Sequence, residues 1–179
     1  MKAEFGPADP EGYPNGISQR NIAGSRRGPR AVPLLLLCAL MAAGLAGALG
    51  GQPSPVVRSS HDGTTLSVKA PHILRNGLFF ETVIEVRSRQ PVDDLVIAVS
   101  DQLWRDMTIN TMIPAASEES YKQGFHRFSF GKLDAGEALR FKIDGQVNPP
   151  LFAGTRGEIA AYDGDRKLVG TQVSMRVLP

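Results

Sequence analysis

The fold class is decided by the stretch Phe80-Glu81-Thr82-Val83-Ile84-Glu85-Val86-Arg87, in which apolar and polar residues largely alternate. A strand places successive side chains on opposite faces, so a period of two predicts a strand with one buried face. A helix would instead repeat its apolar residues every three or four positions. This stretch therefore predicts a β-strand that packs one face on a hydrophobic core.

The same period of two recurs on both sides of this stretch. It is found in residues 65–69, 95–99, 107–112, 125–130, 139–143, 158–162 and 168–177. Clusters of Gly, Pro, Asn and Asp separate these segments at the spacing of about 8–12 residues that is typical of β-sandwiches. Asp163-Gly164-Asp165 is typical of a hairpin turn, because Gly and Asp accept positive backbone angles. The sequence therefore predicts an all-β, antiparallel sandwich of seven to nine strands.

Two signatures stand in this strand-rich region. The first consists of residues 76–86, 91–97 and 100–103, and the second is Phe128-Ser129-Phe130-Gly131-Lys132-Leu133-Asp134-Ala135-Gly136-Glu137 followed by the strand at 139–143. Together they resemble the immunoglobulin-like conserved-repeat domains of extracytoplasmic bacterial and archaeal proteins. The resemblance covers residues 64–149. The chain departs from the family by having one copy rather than an array, and by two further strands after Pro150. The resemblance implies an immunoglobulin-like fold at a surface location and does not imply an activity.

Recognition residues are expected in the loops and at the edge of this sandwich, because rigid sandwiches usually carry binding residues on loops. The longest gap between predicted strands is 113–124, for which a plain connecting loop is the alternative. The segment 146–154 has apolar residues that would form either a core plug or a contact surface. The predicted interaction surface consists of Trp104, Glu118, Glu119, Tyr121, Leu151 and Phe152. For Trp104, packing at the edge of the core is the alternative.

An uncharged and mostly apolar segment, Ala31 to Gly50, stands near the N-terminus. About 20 such residues, at a rise of 1.5 Å each, match the roughly 30 Å hydrocarbon core of a bilayer. The segment therefore predicts a transmembrane signal-anchor helix over residues 31–51, which would contact the lipid bilayer.

The charges beside this segment predict its orientation. Arg20, Arg26, Arg27 and Arg30 precede it, and the first positive residue after it is Arg58. The positive-inside rule then places the N-terminus in the cytoplasm and the rest of the chain outside a single-pass inner (plasma) membrane anchor. A cleaved secretory signal is the alternative, because Ala46-Gly47-Ala48 resembles a small-residue cleavage site. Both readings export the same domain.

Composition divides the chain into four parts. Residues 1–30 are predicted to be a disordered cytoplasmic tail, because Gly and Pro interrupt any periodicity there. Residues 31–51 form the predicted anchor, 52–63 a linker, and 64–179 the extracytoplasmic sandwich domain. About 130 residues can build one hydrophobic core without disulfides, which suits a region that has no cysteine.

The charge balance of the exported part argues against nucleic acid as a partner. The chain has 20 basic and 18 acidic residues, and the excess of two lies in the N-terminal tail, so residues 52–179 are neutral. A nucleic-acid-binding domain is usually strongly basic. The expected partner is therefore a protein of the cell envelope.

The sequence shows no constellation of catalytic or metal-binding residues. No Gly-x-Ser-x-Gly or Ser-x-x-Lys motif occurs, and the one cysteine, Cys38, lies within the apolar segment. His61, His72 and His126 lack the short spacings of zinc ligands. A copper carrier is a further alternative because Met107, Met112 and Met175 could supply thioethers, although core filling explains them as well. We therefore predict no enzyme, cofactor or metal, and a membrane-anchored domain for protein interaction or envelope assembly.

Overall fold

The computed structural model of the protein describes residues 31–149, 151 and 153–179. The chain divides after Ala46 into two units, which are described separately. The predicted tail of residues 1–30 lies outside the described residues.

The first unit contains one described helix, α1, over Ala31–Leu45. Its apolar residues surround the axis, and neither end carries a charged residue in its terminal turn. The helix has 15 residues, which corresponds to a length of about 22 Å. It is thus shorter than the span predicted over residues 31–51. Within the described residues, no helix combines the length and the apolar character needed to cross a bilayer.

The second unit, Gly47–Pro179, is a two-sheet β-sandwich, which confirms the predicted all-β class. Its strands are β1 (Val56–His61), β2 (Thr64–Lys69), β3 (Ile73–Arg75), β4 (Phe79–Ser88), β5 (Leu95–Ser100), β6 (Met107–Ile113), β7 (Glu118–Lys122), β8 (Phe125–Ser129), β9 (Ala138–Val147), β10 (Thr155–Asp163) and β11 (Arg166–Leu178). Sheet 1 has the order β1-β2-β4-β9-β6, and sheet 2 has the order β3-β11-β10-β5-β8-β7.

All eight predicted strands are present, but eleven strands lie within the described residues, more than the seven to nine expected. β1 lies inside the predicted linker 52–63, where it pairs with β2 along its whole length. β7 lies inside the predicted loop 113–124. The sequence signals for both were weak because β1 and β7 are edge strands, and an edge strand needs no continuous apolar face.

One strand pair departs from the antiparallel prediction. The short strand β3 pairs in parallel with the end of β11, with Ile73 beside Arg176 and Arg75 beside Leu178. All other pairs in the two sheets are antiparallel among the described residues. A parallel partner arises here because β3 is reached by the connection after β2 rather than by a hairpin with β11.

The core lies between the two sheets and is made by the alternate residues that the period of two identified. Phe80, Ile84 and Val86 of β4 face inward, while Glu81 and Arg87 face solvent. The largest fully buried side chains come from both sheets: Phe141, Leu66, Ile84, Leu95, Ile97, Leu103, Ile143, Leu151, Ile159, Met175, Val68 and Val86. Each such side chain contributes about 1.5–3 kcal/mol through removal of apolar surface from water.

The segment 131–137 closes one end of this core. Leu133 is buried, and its backbone exchanges two hydrogen bonds with Val92, at 2.9 and 3.0 Å. Gly136 has a φ of +87°, a left-handed conformation that favours glycine. Glu137 is exposed, and its carboxylate accepts a hydrogen bond from the Asp134 N–H. This part of the resemblance therefore serves the fold, as the sequence indicated.

Candidate functional site

The structure brings together four of the six predicted interaction residues. Glu118, Glu119 and Tyr121 lie on β7, and Trp104 reaches the same edge from the turn after β5. Leu151 does not belong to this surface, because it is 1% exposed and lies in the core. Its place on the predicted surface was wrong, and the alternative of core packing is confirmed for it. Phe152 lies outside the described residues.

The edge is formed by the hairpin of β7 and β8. The two strands pair from Glu118 with Ser129 to Lys122 with Phe125. The two residues between them, Gln123 and Gly124, have φ values of +54° and +81°. Positive φ at both central residues is the geometry of a type I′ turn, whose twist matches that of antiparallel strands. All five residues of β7 are exposed, so this strand is a free edge of sheet 2 among the described residues.

Four ring side chains line this edge, and we call them the aromatic edge: Trp104, Tyr121, His126 and Phe128. The His126 ring lies 5.2 Å from the Tyr121 ring and 5.4 Å from the Trp104 ring, between centroids. The Trp104 ring lies 5.7 Å from that of Phe128, which lies 5.6 Å from the buried Phe141. These distances are within the range of favourable aromatic pairs. A continuous series of ring contacts therefore runs from solvent into the core.

Trp104 is held in place by the turn that follows β5. The Leu103 side chain is fully buried, and the Leu103 and Trp104 N–H groups donate to the carbonyls of Ser100 and Asp101, at 3.0 and 3.1 Å. Trp104 itself is half-buried and packs against the core. Because its neighbour is anchored and its backbone is hydrogen-bonded, the indole has a fixed position at the edge.

His126 couples this edge to a carboxylate. Its Nε2 atom lies 3.1 Å from Oδ1 of Asp101, and the other two neighbours of its ring are Tyr121 and Trp104. The ring is thereby fixed between two aromatic side chains. The contact becomes an ion pair whenever the imidazole is protonated.

The opposite side of β7 carries charged residues. Glu118, Lys122 and Asp165 line a shallow depression of about 340 Å³. The Lys122 Nζ atom donates to both carboxylate oxygens of Asp165, at 2.8 Å each, and this hydrogen bond is the main cause of the lowered pKa of Asp165. The Arg127 guanidinium contacts the same carboxylate at 3.3 Å and lies over the Tyr162 ring, 4.7 Å from its centroid. Because side chains alternate along β7, Glu118 lies on this side of the strand and Glu119 lies on the same side as Tyr121.

Asp163 joins the turn between β10 and β11 to the start of β5. One of its carboxylate oxygens accepts hydrogen bonds from the N–H groups of Asp93 and Asp94, at 3.0 and 3.1 Å, and the other accepts from Arg166 at 2.9 Å. The hydrogen bond from Arg166 is the largest cause of the lowered pKa of Asp163, followed by that from Asp94. The predicted hairpin at 163–165 is confirmed, and its carboxylate fixes the neighbouring strand.

Reasoning from the sequence alone does not identify a second charged surface. The outer face of sheet 1 gathers Arg58, Lys69, Arg87 and Arg140 around one shallow depression. They come from four different strands, so no local sequence motif identifies them as a group. Each of these residues stands at a solvent-facing position of an alternating strand, and this is the sequence signal for its exposure. Their proximity to one another follows from the register of the sheet.

The described residues do not converge on a metal site. No group of three His, Cys, Asp or Glu side chains in residues 31–149, 151 and 153–179 has the geometry to hold an ion. Met175 is buried in the core, and Met107 and Met112 pack against it, as the core-filling interpretation expects.

Comparison with known proteins gives likeness at the level of structure. No protein-family model and no curated protein sequence matches this chain. Similar solved structures include a non-cellulosomal cohesin from Archaeoglobus fulgidus, with 10% identity, coverage of 64% of this chain and 91% of that chain, and a TM-score of 0.40. A CARDB domain from Pyrococcus furiosus has 10% identity, coverage of 67% and 98%, and a TM-score of 0.43. The chitin-binding domain of a chitinase from the same organism has 16% identity, coverage of 65% and 99%, and a TM-score of 0.39.

At these TM-scores the likeness carries no inference about a partner or an activity. The resemblance to immunoglobulin-like conserved-repeat domains therefore stays a prediction at the level of family, while the two-sheet sandwich is observed directly.

Proposed function

We propose that this protein is an exported, non-enzymatic interaction module, and that a partner protein docks at the free edge of β7 and on the aromatic edge beside it. The observation that carries the proposal is the series of ring contacts from the exposed Tyr121 to the buried Phe141. Tyr and Trp are the residues that most often dominate protein interfaces, and they act best when their position is fixed beforehand.

The mode of docking that suits this edge is strand addition. Within the part of the chain that the structure describes, β7 is paired on one side only, so the backbone groups on its other side are available to an extended segment of a partner. Main-chain hydrogen bonds would supply affinity, and side chains on alternate positions would supply specificity. Tyr121 is 61% exposed and lies where the neighbouring strand of a partner would pass.

Charges on β7 would select the partner. Glu118 and Glu119 have no ion-pair partner within 4.0 Å among the described residues, whereas Lys122 is paired with Asp165. Charged side chains on an edge strand discourage pairing between identical edges. A partner strand with basic residues opposite the two glutamates would be accepted, while an acidic one would be repelled.

We further propose that the segment 31–50 exports the domain and is retained as an anchor, with the N-terminus in the cytoplasm. The support is the apolar sequence of that segment and the four arginines before it. Retention would place the sandwich close to membrane-bound partners and raise its effective concentration against them. Cleavage near Ala48 is the alternative and would release the same domain.

Docking is tested by site-specific crosslinking with the full chain in native cells. A photo-reactive phenylalanine analogue at Tyr121 is expected to give a discrete adduct with one protein. The matched control carries the analogue at Arg156, an exposed position on the outer face of β10. Glu119→Lys should then abolish the adduct at Tyr121, because it inverts the charge beside the docking strand.

The proposal is abandoned if both positions give the same adducts, or if Glu119→Lys leaves the adduct at Tyr121 unchanged. Binding of the identified partner to Tyr121→Ala should be weaker by a factor of about 10–30, which is typical for loss of a tyrosine hot spot.

Topology is tested separately by fusing reporters to the C-terminus. Alkaline phosphatase should be active there and a cytosolic reporter inactive. N-terminal sequencing of the membrane and soluble fractions then decides between the retained anchor and cleavage near Ala48. Activity of the cytosolic reporter alone would show that the domain is not exported.

A further inference from the structure

The outer face of sheet 1 carries a basic surface that is unrelated to the edge of β7. Its cationic members are Arg58, Lys69, Arg87 and Arg140, which we call the basic face. They line a shallow depression of about 410 Å³, and among the described residues Glu85 is the one acidic residue in its lining. Four cations against one carboxylate leave an excess of three positive charges in a domain that is neutral as a whole.

Strand register explains why these residues lie together. Arg58, Ser67, Glu85 and Arg140 are successive partners across β1, β2, β4 and β9, so they form one row. Lys69 and Arg87 lie in the rows on either side, on the same face. Neighbouring strands are about 4.8 Å apart, which separates the Cα atoms of Arg58 and Arg140 by about 14 Å.

These cations lack the carboxylate partners that neutralise most other basic residues of the domain. Arg58, Lys69 and Arg140 have no carboxylate within 4.0 Å among the described residues, and Arg87 donates to the Gly136 carbonyl at 3.0 Å. On the same outer face, Lys142 is paired with Glu81 at 2.7 Å and with Asp144 at 3.6 Å. The hydrogen bond from Lys142 is the largest cause of the lowered pKa of Glu81, and the charges of Lys69 and Arg140 lower this pKa further.

The chemistry of the basic face favours carboxylates on an extended backbone. Three of its four cations are arginines, whose planar guanidinium group binds a carboxylate with two parallel hydrogen bonds. An extended peptide advances about 3.4 Å per residue, so acidic residues four positions apart are separated by about 14 Å and lie on one side of the backbone. This matches the separation of Arg58 and Arg140.

The remaining lining residues support the same partner. Val56 and Val83 provide apolar area, while Thr65 and Ser67 provide hydroxyl groups. The described residues that line the depression include no aromatic ring, so they offer no stacking surface for a sugar ring or a nucleic-acid base. We propose that the basic face binds an extended acidic segment of a partner protein, with carboxylates on Arg58 and Arg140 and with Lys69 and Arg87 beside them. This site does not depend on the proposed docking at β7.

The test measures binding of a fluorescent peptide of about eight residues, in which Ser and Asp alternate, to the full-length protein. Fluorescence anisotropy should show binding that weakens by about tenfold or more between about 20 mM and about 300 mM NaCl, because exposed charges are screened by salt. The double variant Arg58→Glu/Arg140→Glu should bind the peptide at least about tenfold more weakly. It should instead bind a Ser-Lys peptide that the natural protein does not bind.

A matched control changes the same net charge elsewhere. Arg156→Glu/Arg176→Glu replaces two exposed arginines of β10 and β11 and should leave binding of the acidic peptide unchanged. Arg58→Lys/Arg140→Lys keeps the charge and should bind about threefold more weakly if the planar guanidinium matters. Thermal unfolding followed by circular dichroism verifies that each variant is folded, and Arg58→Ala/Arg140→Ala serves if the glutamates prevent folding.

Three results would overturn the proposal. The first is equal loss of peptide binding in the control Arg156→Glu/Arg176→Glu. The second is full retention of binding by both Arg58/Arg140 double variants, with Glu and with Ala. The third is tighter binding of polyphosphate or of phosphatidylglycerol vesicles than of the acidic peptide through the same arginines, which would assign the face to a different anion. None of these results bears on the crosslinking at Tyr121, so the two proposals fail separately.

Discussion

The aromatic edge and the basic face are built in opposite ways on one sandwich. The aromatic edge is continuous with the core, because Phe128 connects Trp104 to Phe141 through ring contacts. The long side chains of the basic face project into solvent from their strands, and the Arg87 guanidinium donates to the Gly136 carbonyl. The stability of the fold and the proposed recognition therefore depend on the same side chains at the aromatic edge, and on different side chains at the basic face.

The aromatic edge and the basic face would bind their partners in different ways. The edge has rigid rings and a free backbone, so a partner would lose little freedom in finding one geometry there. The face has exposed cations, which attract an anionic partner over a distance but fix its position weakly. Loss of the edge should therefore change dissociation rates, and loss of the face should change association rates and their dependence on salt.

The largest expected effect separates the two surfaces by stability. Phe128→Ala should lower the free energy of unfolding by about 3–5 kcal/mol, because it removes a buried ring and leaves a cavity. Arg140→Ala should change it by less than about 0.5 kcal/mol, since its side chain is exposed and unpaired. Urea unfolding of both variants near neutral pH provides the comparison. A loss below about 1 kcal/mol for Phe128→Ala would show that the edge is not coupled to the core.

A smaller effect depends on pH and lies at the turn between β10 and β11. Asp163→Ala should cost about 1–3 kcal/mol near neutral pH, because it removes the acceptor of two backbone N–H groups and of Arg166. The pKa of Asp163 is lowered in the folded protein, so its contribution is complete above the ordinary value of about 3.9 and is lost as the pH falls through the folded value.

The difference between the natural protein and Asp163→Ala should therefore shrink steadily as denaturant unfolding is repeated below about pH 4. Glu81→Ala on sheet 1 is the control. Its pKa is lowered as well, but its ion pair with Lys142 is about half exposed, and the expected loss near neutral pH is below about 1 kcal/mol. A difference for Asp163→Ala that is independent of pH would contradict the role of its charge.

An effect of about 1 kcal/mol is expected in the hairpin itself. Gly124 has a φ of +81°, and an alanine there would be strained by about that amount. Because β7 is an edge strand, the strain should appear as local opening, with amide hydrogen exchange of β7 faster by about fivefold. Ser120→Ala, in the middle of β7, is the control and should leave exchange nearly unchanged. Equal exchange in Gly124→Ala and the natural protein would rule out strain in this turn.

The smallest expected effect is a change in stability caused by repulsion among the cations of the basic face. Removal of mutually repelling charges by Arg58→Ala/Arg140→Ala should raise the free energy of unfolding by a few tenths of a kcal/mol at low salt. Added NaCl screens the same repulsion, so the difference from the natural protein should disappear toward about 0.3 M. Chemical unfolding at two salt concentrations measures it. A destabilised variant would indicate that these arginines support the fold.

The strands of the core were predictable from the sequence because their signal is local. The alternation in 80–87 fixed which side of β4 is buried, and Phe80, Ile84 and Val86 are indeed in the core. The missed strands β1, β3 and β7 are short or polar and lie at sheet edges, where pairing depends on a neighbour distant in sequence.

The candidate sites were predictable only in part, for the same reason. Trp104 and Tyr121 were predicted as interaction residues, with packing at the edge of the core as the alternative for Trp104, but their connection through His126 appears only when β7 pairs with β8. For Leu151 the sequence allowed either a core plug or a contact surface, because an apolar residue after Pro-Pro is compatible with both, and the structure buries it.

Hydrophobic alternation by itself determined that this chain forms strands around a cysteine-free core, because the alternation of apolar and polar residues specifies locally which side chains of a strand are buried. The strand register decided which side chains from distant segments of the chain lie next to each other. It placed four cations from four strands on one face of a neutral domain, and it joined an exposed tyrosine to the core through three other rings. Register is set by the whole sheet, since a slip of one residue would turn each of these side chains to the other face.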